Sequence, residues 1–178
     1  LEFRRVLFRS YRLGPGNEDD KSIRILNRVV WWDDSGLHYE ADQRHAEIII
    51  KMLGLSGKSS VITPGVKPSD EKDEEGDDEA IDGERASIYR ALAARANYMS
   101  QDRLDIRYAV KELCRWMSRP RYKDWRKLNR LARYLIGRER YVHHYLYRDE
   151  QKKLAVWTDT DYAGCRETRK STSGGLIH

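Results

Sequence analysis

Apolar and polar positions alternate with a period near two at the start of the chain. They switch to a helical period in the middle and return to two after Gly137. The stretch "SIRILNRVVWW", 22–32, is rich in β-branched and aromatic residues, "DDSG" supplies a turn, and "LHYEA" suits a return strand, which predicts a hairpin. From Asp42 to Leu53 the spacing is helical: Asp42 suits the N-cap, Ala46, Ile49, Ile50 and Leu53 form the apolar stripe, and Gly54 suits the stop. Three more helices are predicted beyond residue 85. "ASIYRALAARANYMSQ" is alanine-rich. Arg103–Met117 places Ile106, Ala109/Val110, Leu113/Cys114 and Met117 on one face, and Pro120 stops it. A last helix starts at Asp124, read as its N-cap, carries Trp125, Leu128, Leu131/Ala132 and Leu135 on one face, and ends at Gly137. Short connections between these three predict a packed three-helix unit. "RYVHHYLYR" and "KLAVWTD" then read as strands, "GCRETRKSTSGG" as a turn, and "LIH" as the start of another strand.

Between the first helix and the next three lies a stretch with no apolar period, from Ser56 to about Glu84. Gly, Ser and Pro come first, and acids follow: Asp70–Glu84 holds ten acidic residues and one lysine, a net −9. Such a composition cannot bury enough surface to offset its chain entropy, so a disordered, solvated tether is expected there rather than a metal site. The opposite sign follows at once. Arg85–Arg140 holds sixteen Lys/Arg and five Asp/Glu, a net +11, so the overall +5 conceals two blocks of opposite charge. No apolar run approaches the roughly 18 residues of a membrane span. Two cysteines, Cys114 and Cys165, are too few for a disulfide framework or a zinc site alone, and a reducing, intracellular setting is the default expectation. "LEFRRVLFRS" at the start looks like translated adapter sequence and is set aside from fold reasoning.

Three features offer chemistry. Arg103, Arg107, Lys111 and Arg115 recur every fourth residue and would form one ridge of a helix; Lys123, Arg126, Lys127, Arg130 and Arg133 line part of the next. A phosphate backbone is met by such rows of cations on a rigid scaffold, and Tyr108, Trp116, Tyr122 and Tyr134 are interleaved with them. A solvated helix face is the alternative reading, and the scarcity of compensating acids argues against it. The second feature, "WWDD" at 31–34, is similar to the aromatic-x-Asp-Asp of polymerase catalytic turns, but the Ser-Gly that follows suits an ordinary solvent turn. The third is Asp159, at the end of an apolar strand, with Asp161 two residues on. His143 and His144 are neighbours in a strand and point to opposite faces, which makes a poor metal pair. Cys114, on an apolar helix face, reads as a packed small residue.

"LAVWTDTDYAGCRETRKSTSGG" closely resembles the start of the ribonuclease H domain in copia-type LTR-retrotransposon Pol polyproteins. It matches at Thr158-Asp159, Asp161, Ala163-Gly164 and Arg169–Gly174, and departs at Tyr162, where Trp is usual. Upstream, the Tyr-Arg, Asp-Ile-x-Tyr-Ala-Val, Met-Ser-x-Pro and Arg-Tyr-Leu-x-Gly elements of 88–137 resemble the segment that precedes ribonuclease H. "GLHYEADQRHAEIIIKMLGL" resembles the end of the reverse-transcriptase palm. The resemblance implies an α+β fragment of a Pol polyprotein. Residues 1–10 would be extension, 11–55 the end of the palm, and 56–85 the acidic linker. A thumb-like helical unit at 86–137 and the first strands of a ribonuclease H-like sheet at 138–178 would follow. It also implies that Asp159 is the first of four carboxylates that hold two Mg²⁺ in the intact parent, an RNA-directed DNA polymerase with ribonuclease H activity. The other three, and the polymerase aspartates, are expected outside this chain, which would then be inactive alone and hold no Mg²⁺ stably. Expected partners are RNA–DNA hybrid or duplex nucleic acid and the remaining Pol segments, with no membrane, in a cytoplasmic virus-like particle or the nucleus. Two rival readings stay open: a non-catalytic nucleic-acid-binding protein built from the thumb, and a retrotransposon relic.

Overall fold

Four helices and two antiparallel sheets make up the described chain, a small α+β architecture. The structure is a computed structural model that describes residues 12–66, 75–147, 154–165 and 168–177. The elements run β1 (Ser22–Ile25), β2 (Arg28–Asp33), β3 (Gly36–Glu40), α1 (Arg44–Met52), α2 (Gly83–Met99), a 3₁₀ turn (Leu104–Ile106), α3 (Arg107–Cys114), α4 (Tyr122–Ile136), β4 (Val142–Leu146), β5 (Val156–Thr160) and β6 (Ser173–Ile177). The chain divides into two units, Leu1–Tyr145 and Leu146–His178.

In the first unit the stretch expected as one strand, 22–32, is two. β1 and β2 pair antiparallel around a two-residue turn in which Leu26 (φ 49°) and Asn27 (φ 63°) both adopt the left-handed conformation. Two successive positive φ values give a hairpin turn whose twist matches the strands. β3 pairs antiparallel with β2, and β4 lies beyond β3 in the order β1-β2-β3-β4. β4 therefore belongs to the sheet of the N-terminal strands, although the sequence placed it with the C-terminal ones.

The helices bury their apolar faces together. Ile49 of α1, Tyr89 and Leu92 of α2, Val110 and Leu113 of α3, and Leu128, Leu131 and Leu135 of α4 form one core. The predicted three-helix unit thus has a fourth member, because α1 packs on both α2 and α4. The separate boundaries drawn at 11–55 and 86–137 enclose parts of a shared core. Tyr89 is fully buried and its hydroxyl donates to the Leu113 carbonyl at 2.8 Å, which satisfies the one polar atom it carries inside. Burial pushes the Cys114 thiol up, away from the thiolate, in keeping with a packed role.

Helix starts differ from expectation: α2 begins at Gly83, α3 at Arg107 rather than Arg103, and the caps of α1 and α4 are not the expected ones. Asp42 does not occupy the N-cap of α1; Gln43 does, while the Asp42 carboxylate accepts from the Arg44 amide at 3.0 Å and from the Arg44 guanidinium. α4 begins two residues before Asp124, with Arg121 as its N-cap. Asp124 is only 1% exposed, and its carboxylate reaches back to accept from the Arg121 amide at 3.1 Å and from Arg121 Nε at 3.0 Å. It does the work of the acidic partner in a capping box, one turn inside the helix. Gly54, at φ 64°, follows the end of α1 as expected.

The described parts of the linker are not a free tether. Residues 56–66 and 75–82 lie along α4, with backbone hydrogen bonds from Val61 N to the Arg133 carbonyl (3.3 Å), from Tyr122 N to the Glu79 carbonyl and from Lys123 N to the Asp77 carbonyl (both 3.1 Å). The reason is local: a long helix with cations along one side supplies partners that a composition-based reading of the linker leaves out. The acids from Asp70 to Glu74 lie outside the described residues, as do the extension 1–10, residues 149–153 between β4 and β5, and His178.

In the second unit β5 and β6 form a two-stranded antiparallel hairpin with Asp159 opposite Gly174. Its strands are exposed along their whole length.

Candidate nucleic-acid interface

Of the nine cations predicted to meet nucleic acid, Arg103 is withdrawn from the surface. It is 1% exposed, its guanidinium forms a bidentate pair with Asp105 (2.6 and 3.2 Å), donates to the Arg138 carbonyl at 2.7 Å and lies over the Tyr141 ring. The four-residue ridge from Arg103 to Arg115 is thereby corrected to three members. The chain ahead of Arg107 is a 3₁₀ turn with extended backbone at Arg103, not α-helix, so the i, i+4 alignment starts only at Arg107.

The other eight stand on α3, at its C-cap Arg115 and on α4. Arg107 is exposed and its guanidinium donates to the Ser100 and Gln101 carbonyls at the end of α2. Those carbonyls have no intrahelical donor, and a cation there also complements the helix dipole. Lys111 and Arg115 both reach Glu112, at 3.2 and 3.1 Å, and Lys111 lies over the Tyr108 ring. On α4, Lys123 pairs with Asp78 and Arg126 with Asp77. Arg130 donates to the Thr63 hydroxyl at 2.9 Å, and Arg133 to the Ser59 carbonyl and hydroxyl at 3.0 and 2.9 Å. Lys127 and Arg130 line a shallow depression with Pro64, Val66, Tyr108 and Ala109.

One cation escaped the sequence reading. Arg121 stacks on Trp116 with its guanidinium carbon 3.5 Å from the ring centre, pairs with Asp124 at 3.0 Å and reaches Asp78 at 3.2 Å. An acid three residues after an arginine at a helix start was the available signal. Lys123 beside Asp78 holds that carboxyl below the usual carboxylate range, with Arg121 adding to the effect.

Asp33 and Asp161, two of the carboxylates singled out for metal chemistry, each tie up a turn or loop of their own unit. Asp33 closes the β2–β3 turn: one oxygen accepts from Ser35 N (2.8 Å), Ser35 Oγ (2.5 Å) and Gly36 N (3.2 Å), and the other meets His38 Nε2 at 2.8 Å. The Ser35 hydroxyl foremost, then His38, drive its carboxyl far below the ordinary range, as suits a turn-capping acid. Asp159 is exposed on β5, and Asp161 accepts from the Thr172 amide at 2.5 Å, which ties the β5–β6 loop together. Among the described residues, no group of three or more His, Cys, Asp or Glu side chains is arranged to hold a metal ion. The two adjacent histidines do face opposite ways: His144 Nδ1 lies 2.7 Å from His38 Nδ1, whereas His143 Nε2 lies 2.7 Å from the Asp102 carbonyl oxygen.

Asp102 is the other residue that the sequence did not announce. Its Oδ2 accepts from Arg28 at 2.7 Å and its Oδ1 from the Tyr39 hydroxyl at 2.8 Å, which binds β2 and β3 to the turn after α2. Burial, then the bond to Asp102, push the Tyr39 hydroxyl up to about 12.

Among known proteins, the chain is 38% identical over 90 residues to the uncharacterized mitochondrial protein AtMg00810 of Arabidopsis thaliana, a match that covers 49% of this chain and 36% of that protein. It is 30% identical over 90 residues to the retrovirus-related Pol polyprotein from transposon RE2 of the same plant, covering 51% of this chain and 6% of the polyprotein. A secreted RxLR effector protein 161 of Plasmopara viticola is 36% identical over 87 residues, with 49% of this chain and 61% of the effector covered. No protein-family model and no solved structure matches. The chain spans only part of each of these relatives, and about half of its own length is related in sequence to retrotransposon Pol polyproteins.

Proposed function

We propose that the face built by α3 and α4 grips the phosphate backbone of an RNA–DNA hybrid or duplex without reading base sequence, as the thumb-like part of a copia-type Pol polyprotein. β1–β3 and α1 would then be the end of the reverse-transcriptase palm, and the β5–β6 hairpin the first strands of ribonuclease H. The observation that carries the reading is the alignment of Arg107, Lys111 and Arg115 along α3 and its C-cap beside the cations of α4, in a chain about half of which is related to a transposon polyprotein. A backbone-directed surface needs cations on rigid elements and no groove-reading element. Within that reading Asp159 is a carboxylate of a Mg²⁺ site completed by other parts of the polyprotein, in a cytoplasmic virus-like particle or the nucleus.

The test is binding of a short RNA–DNA hybrid by the whole chain. Affinity should fall with salt with a slope of about 0.9 per phosphate neutralised. Arg107→Gln/Lys111→Gln/Arg115→Gln should reduce affinity by on the order of tenfold or more, with the melting temperature followed in parallel. Unchanged affinity in a folded triple variant removes the interface.

A further inference from the structure

The two ends of α4 are covered by the linker in chemically different ways. At the C-terminal end the cover is neutral: Arg133 and Arg130 meet the oxygens of Ser59 and Thr63. At the N-terminal end it is anionic: Asp77 and Asp78 meet Arg126, Lys123 and Arg121. The anionic cover is held in place by backbone as well, through the Asp77 and Glu79 carbonyls and a bond from Ile81 N to the Pro120 carbonyl at 3.1 Å.

From this we infer that the Asp77–Asp78 turn is an internal competitor for polyanions, occupying the N-terminal end of the α4 face until a nucleic-acid backbone displaces it. The inference rests on the interface proposed above and concerns its regulation. Three observations support it. The carboxylates sit on the groups a phosphate would use, including an arginine stacked on an indole. Asp78 is 78% exposed at its side chain, so a competing anion reaches this edge of the pairs from solvent, while Lys123 and Arg121 themselves are only 19% and 11% exposed. And Arg121 keeps a second partner, the buried Asp124, which would hold the guanidinium in position after Asp78 leaves. The competitor is tethered, so its effective concentration is high and independent of protein concentration. A ligand that needs the open face then binds with an affinity reduced by the fraction of time that the face is open.

The experiment uses the full chain, Asp77→Asn/Asp78→Asn, and a control, Glu18→Gln/Glu47→Gln, that changes net charge equally at exposed sites outside α4 and the linker. Fluorescence anisotropy with a short RNA–DNA hybrid should show the Asp variant binding about tenfold more tightly, as expected if the face is open about a tenth of the time. Its salt slope should be steeper, because in the unmodified chain added salt also screens the competing ion pairs and opens the face. The control should stay close to the unmodified chain. In hydrogen exchange on the unmodified chain, added hybrid should speed exchange at the Tyr122 and Lys123 amides, whose acceptors are carbonyls of the competing segment. If the Asp variant matches the control while Arg107→Gln/Lys111→Gln/Arg115→Gln still weakens binding, the interface stands and the competitor falls. Protection of the Tyr122 and Lys123 amides that survives saturating hybrid overturns it equally. If the unmodified chain and the Asp variant both fail to bind, the interface falls and takes the competitor with it.

Discussion

The helical unit and the β5–β6 hairpin are written in equally clear apolar patterns, yet one is closed and the other open. Leu128, Leu131 and Leu135 of α4 are fully buried against three other helices. Trp157 and its cross-strand partner Leu176 are 65% and 54% exposed. A pattern states which face could be buried, and burial needs a second layer to supply the other side. Two strands have no such layer of their own and are marginal in water. The same contrast separates the acids: Asp102 and Asp124 have every oxygen committed to partners, and Asp159, among the described residues, accepts from its neighbour's amide.

The strongest way to break this comparison is to cut into both patterns. Leu131→Ala should cost about 3 kcal/mol, the usual range for a buried leucine, whereas Trp157→Ala should stay within about 0.5 kcal/mol, both read by urea denaturation. Equal losses would show that the hairpin carries a core of its own. A smaller effect is expected from the acids. Asp102→Ala leaves Arg28 and the Tyr39 hydroxyl without their carboxylate and should cost about 2 kcal/mol, while Asp159→Ala should change the denaturation midpoint little. The smallest effect is at acid pH. The Arg44 guanidinium foremost, against the cost of burial, holds the Asp42 carboxyl below its ordinary range. A depressed carboxylate adds stability that is present above its unfolded value of about 4 and disappears as pH falls through the lower, folded value. Asp42→Asn should therefore lower the urea midpoint near neutrality and flatten its decline below about pH 4. An unchanged acid limb would assign the decline to other groups.

Element types were legible because period and β-branching are local. The stripes 46–53 and 125–135 became α1 and α4, the stripe 106–117 became α-helix over 107–114 only, and the period-two stretches became strands. Where an element begins was less legible, because caps are settled by what a side chain finds nearby. Asp124 looks like an N-cap in sequence, yet it sits a turn inside α4 because Arg121 precedes it and both bond each other. Arg103 fits a cationic ridge by spacing and is instead swallowed between Asp105, the Arg138 carbonyl and Tyr141, partners up to 38 residues away in sequence that no local window includes. The linker shows the same limit. Its composition argues against a core, correctly, but says nothing about ion pairing to a basic helix that comes later in the chain. Of the predicted site, spacing found eight cations on α3, its C-cap and α4; it could not show that Asp77 and Asp78 already engage two of them.

Asp102 has one more consequence, for the order of strands during folding. Arg28 and Tyr39 reach it from one face of the sheet, since Tyr39 is opposite Val30, two residues beyond Arg28, and its own carbonyl meets His143 on β4. Sliding β2 by a single residue would turn Arg28 to the other face. One carboxylate outside the sheet can thus reject misregistered pairings of β2 and β3, acting as a proofreader of strand alignment as the sheet docks on the helices.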